Sequence, residues 1–208
     1  MCRWLGVARA TVRYRSRRAP TPELTARVPT IPPVRANERW SMDFMRDTLA
    51  DGRPFRVWTL VEDATRECPL LLVDRSRPAT RVVEALDFLC GARSTPRVIV
   101  CDNGPEFVSA ALDHWAAAHH VSLAFIRPGH PVEHCFIERF NGKLRDECLN
   151  AHHFTSLGDA QRIIAQWRDE YHTTRPHRGL GRLTPVEMAA MLLERNVESP
   201  TTLRLRLE

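Results

Sequence analysis

The sequence predicts an α/β fold built on a mixed five-stranded sheet, in which an antiparallel meander precedes parallel strands and helices flank the sheet. Residues 39–74 hold three strand-like segments and a strong hairpin signal, Asp51-Gly52. Residues 79–126 then alternate amphipathic helical patterns with short apolar strands, as α/β units do. The chain has 208 residues, 43% of them hydrophobic, which suits one domain with a margin of about 50 residues.

The strands follow from residue alternation and apolar runs. The first is predicted over 39–45, where Trp40, Met42 and Phe44 alternate with Ser41 and Asp43. The segments 55–62 and 69–74 complete the meander. Two short apolar segments, 97–101 and 121–126, are the fourth and fifth strands.

The helices follow from apolar residues spaced three and four apart. They are predicted over 79–92, 106–119, 132–150, 156–172 and 185–196. Ser156 and Thr184 are N-cap residues of the last two, and Pro185 suits a first helical position. The predicted order is therefore three strands, then helix, strand, helix, strand and three helices.

The charge is concentrated at one end of the chain. The net charge is +5, but residues 1–39 carry nine Arg against Glu23 and Glu38, so the remainder has a net charge of −2. A basic segment on a nearly neutral body predicts a polyanionic partner. The alternative is a solvated tail that only favours solubility. Five Pro residues within 17–38 predict a linker between this segment and the body.

Several protein classes are excluded by simple patterns. The longest uncharged apolar run, 69–73, is far too short to span a bilayer, and no secretory signal is visible. We therefore expect a cytoplasmic protein with reduced thiols. The six Cys are spaced too far apart for a zinc or redox motif, and Cys90 and Cys101 are predicted to be core residues.

Three carboxylates are candidates for chemistry. Asp43 lies on the strand face opposite Trp40, Asp102 ends an apolar strand, and Glu138 lies inside a helix. Strand ends and neighbouring loops form the functional crevice of such sheets, so the three can converge. Hard oxygen ligands select Mg²⁺ or Mn²⁺, and two such ions suit phosphoryl displacement. The alternative is that these residues are turn formers, caps or solvated side chains.

Four motifs resemble a known family. Asp102 and Glu138 are separated by 35 residues, the spacing of retroviral-type integrases and of many insertion-sequence transposases. The segments 39–68, 98–107 and 126–150 resemble the three catalytic segments of the integrase-core (rve-type, DDE) transposase subunit of two-frame bacterial insertion sequences. The pattern W-x3-Y-x4-RPH-x2-L-x3-TP over 167–185 is similar to the C-terminal signature of that family.

The resemblance implies an RNase H-like fold and a DDE active site. Its catalytic and metal-binding residues would be Asp43, Asp102 and Glu138, with two Mg²⁺ or Mn²⁺ ions in each site. In this family water first cuts the element end to expose a 3′-OH, which then attacks a phosphodiester without a covalent protein intermediate. The implied function is DNA cleavage and strand transfer of an insertion sequence.

The resemblance also implies supporting and DNA-binding residues. Arg145, seven positions after the Glu, matches a basic DNA contact of the family, and Arg139 and Lys143 can contact phosphate. Asn103 and Gly104 shape the turn that aims Asp102. The implied role of three further residues stays open: Asn141 matches a family Asn, while Arg175 and His177 bind DNA or pin the C-terminal helix, the latter being favoured.

Two departures from the family pattern stand out. His134 and Glu133 occupy positions that are usually Asn and Gln or a similar residue in relatives, close to Glu138. The segment 2–15 resembles only the end of a helix-turn-helix, and a second helical module expected before the core is missing. We expect a basic head with a linker over 1–38, a catalytic core over 39–155 and a helical extension over 156–208.

The expected partners are DNA, as element ends and target, and further copies of the chain assembled on it. An upstream-frame helix-turn-helix subunit is a further possible partner, and a membrane is not. The expected location is the bacterial cytoplasm, at the nucleoid. Two alternatives remain: a decayed transposase that binds DNA or inhibits a relative, and an RNase H-like nuclease, against which the 35-residue spacing argues.

Overall fold

The computed structural model describes residues 33–75, 79–104, 106–127 and 134–198, and omits the side chains of 79, 80 and 196–198. Most of the predicted basic head and linker lies outside these ranges. The predicted element order is confirmed. The strands are β1 (Arg39–Thr48), β2 (Pro54–Glu62), β3 (Leu70–Asp74), β4 (Val98–Cys101) and β5 (Ser122–Phe125). They form one sheet in the order β3-β2-β1-β4-β5.

The helices are α1 (Ala79–Ala92), α2 (Ala110–Ala118), α3 (Cys135–Leu144), α4 (Leu157–Thr173) and α5 (Pro185–Glu198). A π-helical turn, Arg145–Leu149, continues α3, and a 3₁₀ turn, Arg178–Leu180, lies between α4 and α5. No helix in the described part of the chain is long and apolar enough to cross a membrane.

The first hairpin fixes the register of the sheet. β1 and β2 pair antiparallel with Asp43 opposite Thr59, and the Leu49 amide donates to the Arg53 carbonyl (2.9 Å) to close the turn. Gly52 has a φ of +80°, a left-handed conformation that glycine adopts without steric cost. The Asp51-Gly52 signal therefore marks the observed turn. β3 pairs antiparallel with β2, whereas β4 pairs parallel with β1 and β5 with β4.

Helices cover both faces of the sheet, as the alternation of side chains requires. On one face Trp40, Met42 and Trp58 pack against α1 and α2, and on the other Met45 and Val57 pack against α3 and α4. Successive strand residues point to opposite faces, so one strand serves both cores. Because α4 belongs to the second core, the predicted helical extension contributes directly to the packing behind the sheet.

The ends of the later helices follow their caps. The Ser156 hydroxyl accepts the Asp159 amide (3.1 Å), which confirms Ser156 as an N-cap. Thr184 and Glu187 form a reciprocal capping box, with the Thr184 amide donating to the Glu187 carboxylate (2.7 Å).

Two predicted helices are corrected. The helix predicted over 106–119 begins at Ala110, because Ser109 caps it and Glu106 instead pairs with Arg56 of β2. The helix predicted over 132–150 starts, in its described part, at Cys135 and ends as α-helix at Leu144. The wider π turn after it allows Glu147 to accept the Trp167 indole N–H (3.1 Å), a tertiary contact that local sequence does not reveal.

The predicted core cysteines differ in burial. Cys101 is fully buried, whereas Cys90 is only partly buried at the edge of the same core. Cys101 therefore packs as a small apolar residue, while Cys90 keeps contact with solvent.

Candidate active site

Two of the candidate carboxylates lie side by side because of strand register. In the parallel pair of β1 and β4, Ser41 lies beside Val100. Two residues further along each strand, the same register places Asp43 beside Asp102, which directly follows β4. Neighbouring residues at the same level of a sheet point to the same face. The sheet therefore directs both side chains to one face, at the carboxyl end of β4.

Asp43 is held by two hydrogen bonds. Its Oδ1 accepts the Phe44 amide (2.7 Å), and its Oδ2 accepts the Asn141 side-chain amide (2.9 Å). Thr59, opposite Asp43 on β2, donates its hydroxyl to the Asn141 Oδ1 (2.9 Å). These hydrogen bonds, from Thr59 through Asn141 to Asp43, connect α3 to β1 and β2. They also fix the orientation of the Asp43 carboxylate.

The charges of Asp102 and Glu138 both act on Asp43. Burial raises the pKa of Asp43 from its ordinary value of 3.8 to about 6, against the hydrogen bonds from Phe44 and Asn141. The negative charges of Asp102 and Glu138 add to the rise in this pKa. Like charges act this strongly only at short range or in a poorly screened site. Asp43 therefore carries the repulsion of a carboxylate cluster.

The turn after β4 orients Asp102. The Gly104 amide donates to the Asp102 Oδ1 (3.0 Å), and a Cβ built on Gly104 would lie 2.9 Å from that same oxygen. Real Cβ atoms do not approach so closely, so any side chain at this position would displace the Asp102 carboxylate. The Asn103 side-chain amide donates to the Ile126 carbonyl (3.0 Å), which anchors the turn to the end of β5.

Glu138 lies in the first turn of α3 with its side chain exposed. The positive end of the helix dipole favours a carboxylate there. At about 100° per residue, Glu138, Asn141 and Arg145 share one face of the helix. The Arg145 guanidinium donates to the Arg46 carbonyl on β1 (3.0 Å), which places this cation beside the carboxylate edge of the sheet.

His134 also faces the carboxylates. Only 3% of this residue is exposed, and its imidazole forms a hydrogen bond with the Met42 backbone. Burial lowers the pKa of His134, although the charges of Asp102 and Glu138 act in the opposite direction. Its Nε2 has no hydrogen-bond partner in the described part of the chain. Glu133, the other departure, lies outside the described residues.

Arg139 and Lys143 are rotated by about 100° and 140° around the α3 axis from Glu138, so neither shares its face of the helix. The Lys143 ammonium lies 5.7 Å from the centre of the Tyr171 ring. The structure therefore separates the three predicted basic contacts into two groups, with Arg145 near the carboxylates and the other two behind the helix.

The RPH motif serves packing in this structure. Arg175 forms an ion pair with Glu147 in the π turn, and the His177 ring packs edge-on to Tyr171 with centres 4.9 Å apart. The first contact holds the segment after α4 against the π turn, and the second holds it against α4 itself.

Thr59 was not predicted as a site residue. The signal for it lay in the sequence, because a hairpin centred on Asp51 places Thr59 opposite Asp43. The burial of His134 and the partner of Asn141 carried no such signal, since both depend on how α3 packs on the sheet.

The three carboxylates do not form a ready-made ligand set. Within the described ranges, no group of three His, Cys, Asp or Glu side chains is arranged to hold a metal ion. Two observations link the three residues: the charges of Asp102 and Glu138 act on the pKa of Asp43. In addition, the register of β1 and β4 places Asp43 beside Asp102.

The chain matches models of known protein families. Two family descriptions match the chain, both named Integrase core domain, one over residues 33–131 and the other over residues 119–185. Together they span β1 to the start of α5, including all three candidate carboxylates.

Two relatives come from bacterial insertion elements. The chain is 46% identical over 158 residues to the insertion element IS407 uncharacterized 31.7 kDa protein of Burkholderia multivorans, covering 76% of this chain and 57% of that protein. It is 46% identical over 154 residues to the IS476 uncharacterized 39.2 kDa protein of Xanthomonas euvesicatoria, covering 74% and 44%. The chain thus spans about half the length of these relatives.

A solved structure shows the same fold. The integrase catalytic core domain of HTLV-2, determined in complex with magnesium in a trimeric form, matches with a TM-score of 0.58 at 16% identity. The match covers 74% of this chain and 97% of that domain. It confirms the RNase H-like architecture that the resemblance implied.

Proposed function

Because the chain belongs to the integrase core domain family of the retroviral integrase-like superfamily, we propose that it is the catalytic subunit of an insertion-sequence transposase. It would cut DNA at the element ends and transfer the exposed strands to a target. The observation that carries this proposal is the carboxylate site, in which Asp43 feels the charges of both Asp102 and Glu138.

The site suits divalent cations by its donor chemistry. All three groups are hard carboxylates, and burial, with added repulsion from Asp102 and Glu138, raises the pKa of Asp43. A divalent cation would offset that repulsion, and oxygen donors favour Mg²⁺ or Mn²⁺. We propose that Asp43, Asp102 and Glu138 hold two such ions, as the HTLV-2 domain was solved with magnesium.

The residues of this chain would prepare the site for phosphoryl transfer. When bound, the divalent ions supply charge stabilisation at the attacking and leaving oxygens. Asn141 holds the Asp43 carboxylate in one orientation, and the Gly104 amide does the same for Asp102. Preorganised ligands of this kind avoid reorganisation during the reaction.

The reaction would proceed in two displacements at phosphorus. In the first, water attacks the phosphodiester at the element end, the P–O3′ bond breaks, and a free 3′-OH leaves. In the second, that 3′-OH attacks a target phosphodiester, forms a new P–O bond and releases a target 3′-OH. Arg145 would contact a DNA phosphate beside the site, since it lies on the Glu138 face of α3.

We also propose that the chain acts as a homo-multimer on DNA, at the nucleoid of a bacterial cytoplasm. The HTLV-2 domain was solved in a trimeric form, and the insertion-element relatives belong to bacteria. The upstream-frame helix-turn-helix subunit stays a prediction from the resemblance.

A second candidate is a DNA-binding relative without catalysis. His134 favours it, because an imidazole with an unpartnered Nε2 faces Asp102 and Glu138 where relatives usually have Asn. Metal binding separates the two candidates. Calorimetric titration with Mn²⁺ is expected to show binding that Asp102→Asn removes, and a chain that binds no divalent ion at all is not a metal-dependent transposase.

The proposed activity is tested with DNA carrying the ends of the element in which the gene lies. The purified chain with Mg²⁺ or Mn²⁺ is expected to cut these ends, and Asp102→Asn is expected to remove the activity. Asp169→Asn, an exposed carboxylate on α4, is the matched control and should retain it. Equal cutting by wild type and Asp102→Asn would reject the assignment of the site.

A further inference from the structure

A cavity of about 430 Å³ lies behind α3, between this helix, α4 and the 3₁₀ turn. Its lining carries a strong excess of positive charge, from Arg66, Arg139, Lys143 and Arg178. No carboxylate is found among the described residues that line it. Arg66 and Lys143 are half-buried, whereas Arg139 and Arg178 are exposed. Four cations around one cavity without a carboxylate in its lining make a charge pattern that suits an anion.

Two residues of the lining each carry a buried nitrogen without a hydrogen-bond partner in the described part of the chain: the Arg66 Nη1 and the His177 Nε2. His177 is 9% exposed, and its backbone is held by bonds to Leu183 and Arg182. The Arg66 guanidinium is stacked 3.8 Å from the centre of the Phe136 ring. Both groups are thus fixed in place with an unused nitrogen, which costs free energy unless a ligand satisfies it.

The local field is positive. Burial, followed by the charges of Lys143, Arg175 and Arg66, lowers the pKa of His177 to about 4. Burial and the charge of Arg175 also lower the pKa of Lys143, even though Glu147 opposes this effect. Glu147 pairs with Arg175, and the charges of Asp63 and Glu62 act on Arg66. These carboxylates lie outside the lining and offset only part of the positive charge around the cavity.

The cavity is separate from the carboxylate site. Phe136, Arg139 and Lys143 line it, and these residues do not share the face of α3 that carries Glu138 and Asn141. Asn141 contacts Asp43 on the sheet, whereas Lys143 contacts Tyr171 of α4. A ligand in the cavity would therefore not compete with metal ions at the carboxylates.

We propose that this cavity binds a phosphate group, and that in the working protein the phosphate belongs to the backbone of a DNA strand. The assignment to DNA rests on the proposed function. Guanidinium groups bind phosphate through paired N–H donors, and the Lys143 ammonium adds a further donor. Arg139 and Arg178 are exposed, so they can meet a strand that passes over the opening. Helix α3 would then contact DNA on two different faces.

The test is the salt dependence of DNA binding by the full 208-residue chain. Each phosphate contact that is lost reduces the slope of log K against log salt by about one. Lys143→Gln with Arg178→Gln is expected to weaken binding of an oligonucleotide about tenfold and to reduce the slope by about one to two. Arg178→Gln alone, an exposed change that leaves the fold intact, should reduce it by about one.

The matched control is Arg81→Gln with Arg162→Gln, which removes the same charge from exposed positions on α1 and α4. Its slope should equal that of the wild type, and the Arg-rich residues 1–39 contribute equally to all variants. An unchanged slope in the cavity variants overturns the proposal. The proposal is also overturned if the cavity variants lose binding of inorganic phosphate, or of an oligoglutamate peptide, while their DNA binding is unchanged.

These outcomes are independent of the proposed catalysis. Strand transfer that depends on Asp102, together with an unchanged slope, rejects only the cavity site. Absence of any DNA binding by the wild type rejects the proposed function as well.

Discussion

Removing the charge of Asp43 should stabilise the folded chain at neutral and alkaline pH. The folded-state pKa of Asp43 is about 6, against an ordinary value of 3.8, so ionisation of this residue opposes folding. Each tenfold change in proton affinity corresponds to about 1.4 kcal/mol, which makes the cost of the ionised side chain ~3 kcal/mol at pH 8. Since the amide of Asp43→Asn fits the hydrogen bonds less well, we expect a net gain of ~1–2 kcal/mol.

The sign of the pH dependence makes this prediction specific. A carboxyl with a raised folded-state pKa binds its proton more tightly in the folded chain, so wild-type stability falls as the pH rises from about 4 to about 6. The Asn variant has no proton to lose there. Its advantage should be complete above the folded-state pKa and absent below pH 4.

The assay is urea unfolding of both proteins between pH 4 and pH 8, with Asp47→Asn on the same strand as a control that gains nothing. Added Mg²⁺ should stabilise the wild type, because a ligand that binds only the folded state raises its stability. It should not stabilise Asp43→Asn. A variant that is equally or less stable at pH 8, or whose gain persists at pH 4, would refute the raised pKa of Asp43.

Two further substitutions test the framework around the site. Arg39→Ala leaves Asp63 as a buried carboxylate without its 2.6 Å ion pair. Urea unfolding should show that the free energy of unfolding falls by ~3–5 kcal/mol, and that the loss persists in 1 M salt. A loss that salt removes would contradict a buried ion pair. Gly104→Ala places a Cβ 2.9 Å from the Asp102 carboxylate, so strand transfer should fall roughly 10-fold or more while the fold is retained. Gly91→Ala, whose Cβ meets open space, is its control, and equal activity of the two alanine variants would argue against a role for the turn.

Much of the fold follows from local chemistry. The alternation in β1 and the Asp51-Gly52 turn together determine a hairpin in which Asp43 meets Thr59. Ser156 and Thr184 mark where α4 and α5 begin, because their side chains satisfy amides of the first turn. These elements were predictable since the residues that define them are neighbours along the chain.

Other features depend on contacts that no local pattern encodes. The π turn after α3 accompanies contacts of Glu147 with Trp167 and Arg175, which are about 20 and 28 residues away in sequence. The late start of α2 accompanies an ion pair between Glu106 and Arg56 across the sheet. In both cases tertiary interactions replace the helix that local propensity predicts.

The candidate site shows the same division. The three carboxylates were identified from spacing and family motifs, and the parallel register of β1 and β4 explains why two of them are neighbours. The role of Asn141 could not be assigned, because its partner Asp43 is 98 residues away. Arg139 and Lys143 were selected for their closeness to Glu138 in sequence, whereas helix geometry turns them toward the cavity.

The most direct test of the proposed catalysis is a joining assay with a labelled oligonucleotide that represents a pre-cut element end with a free 3′-OH, using plasmid as the target and Mg²⁺ or Mn²⁺ as the ion. This design omits the first cut, so the product reports only the second displacement at the carboxylate site. We predict covalent joining by the wild type and by Asp169→Asn, and a loss of roughly 100-fold or more in Asp102→Asn and Glu138→Gln. Joining that is unaffected by these two changes, or no joining by a wild type that is folded and binds the DNA, would contradict the assignment of Asp43, Asp102 and Glu138 as a DNA strand-transfer site.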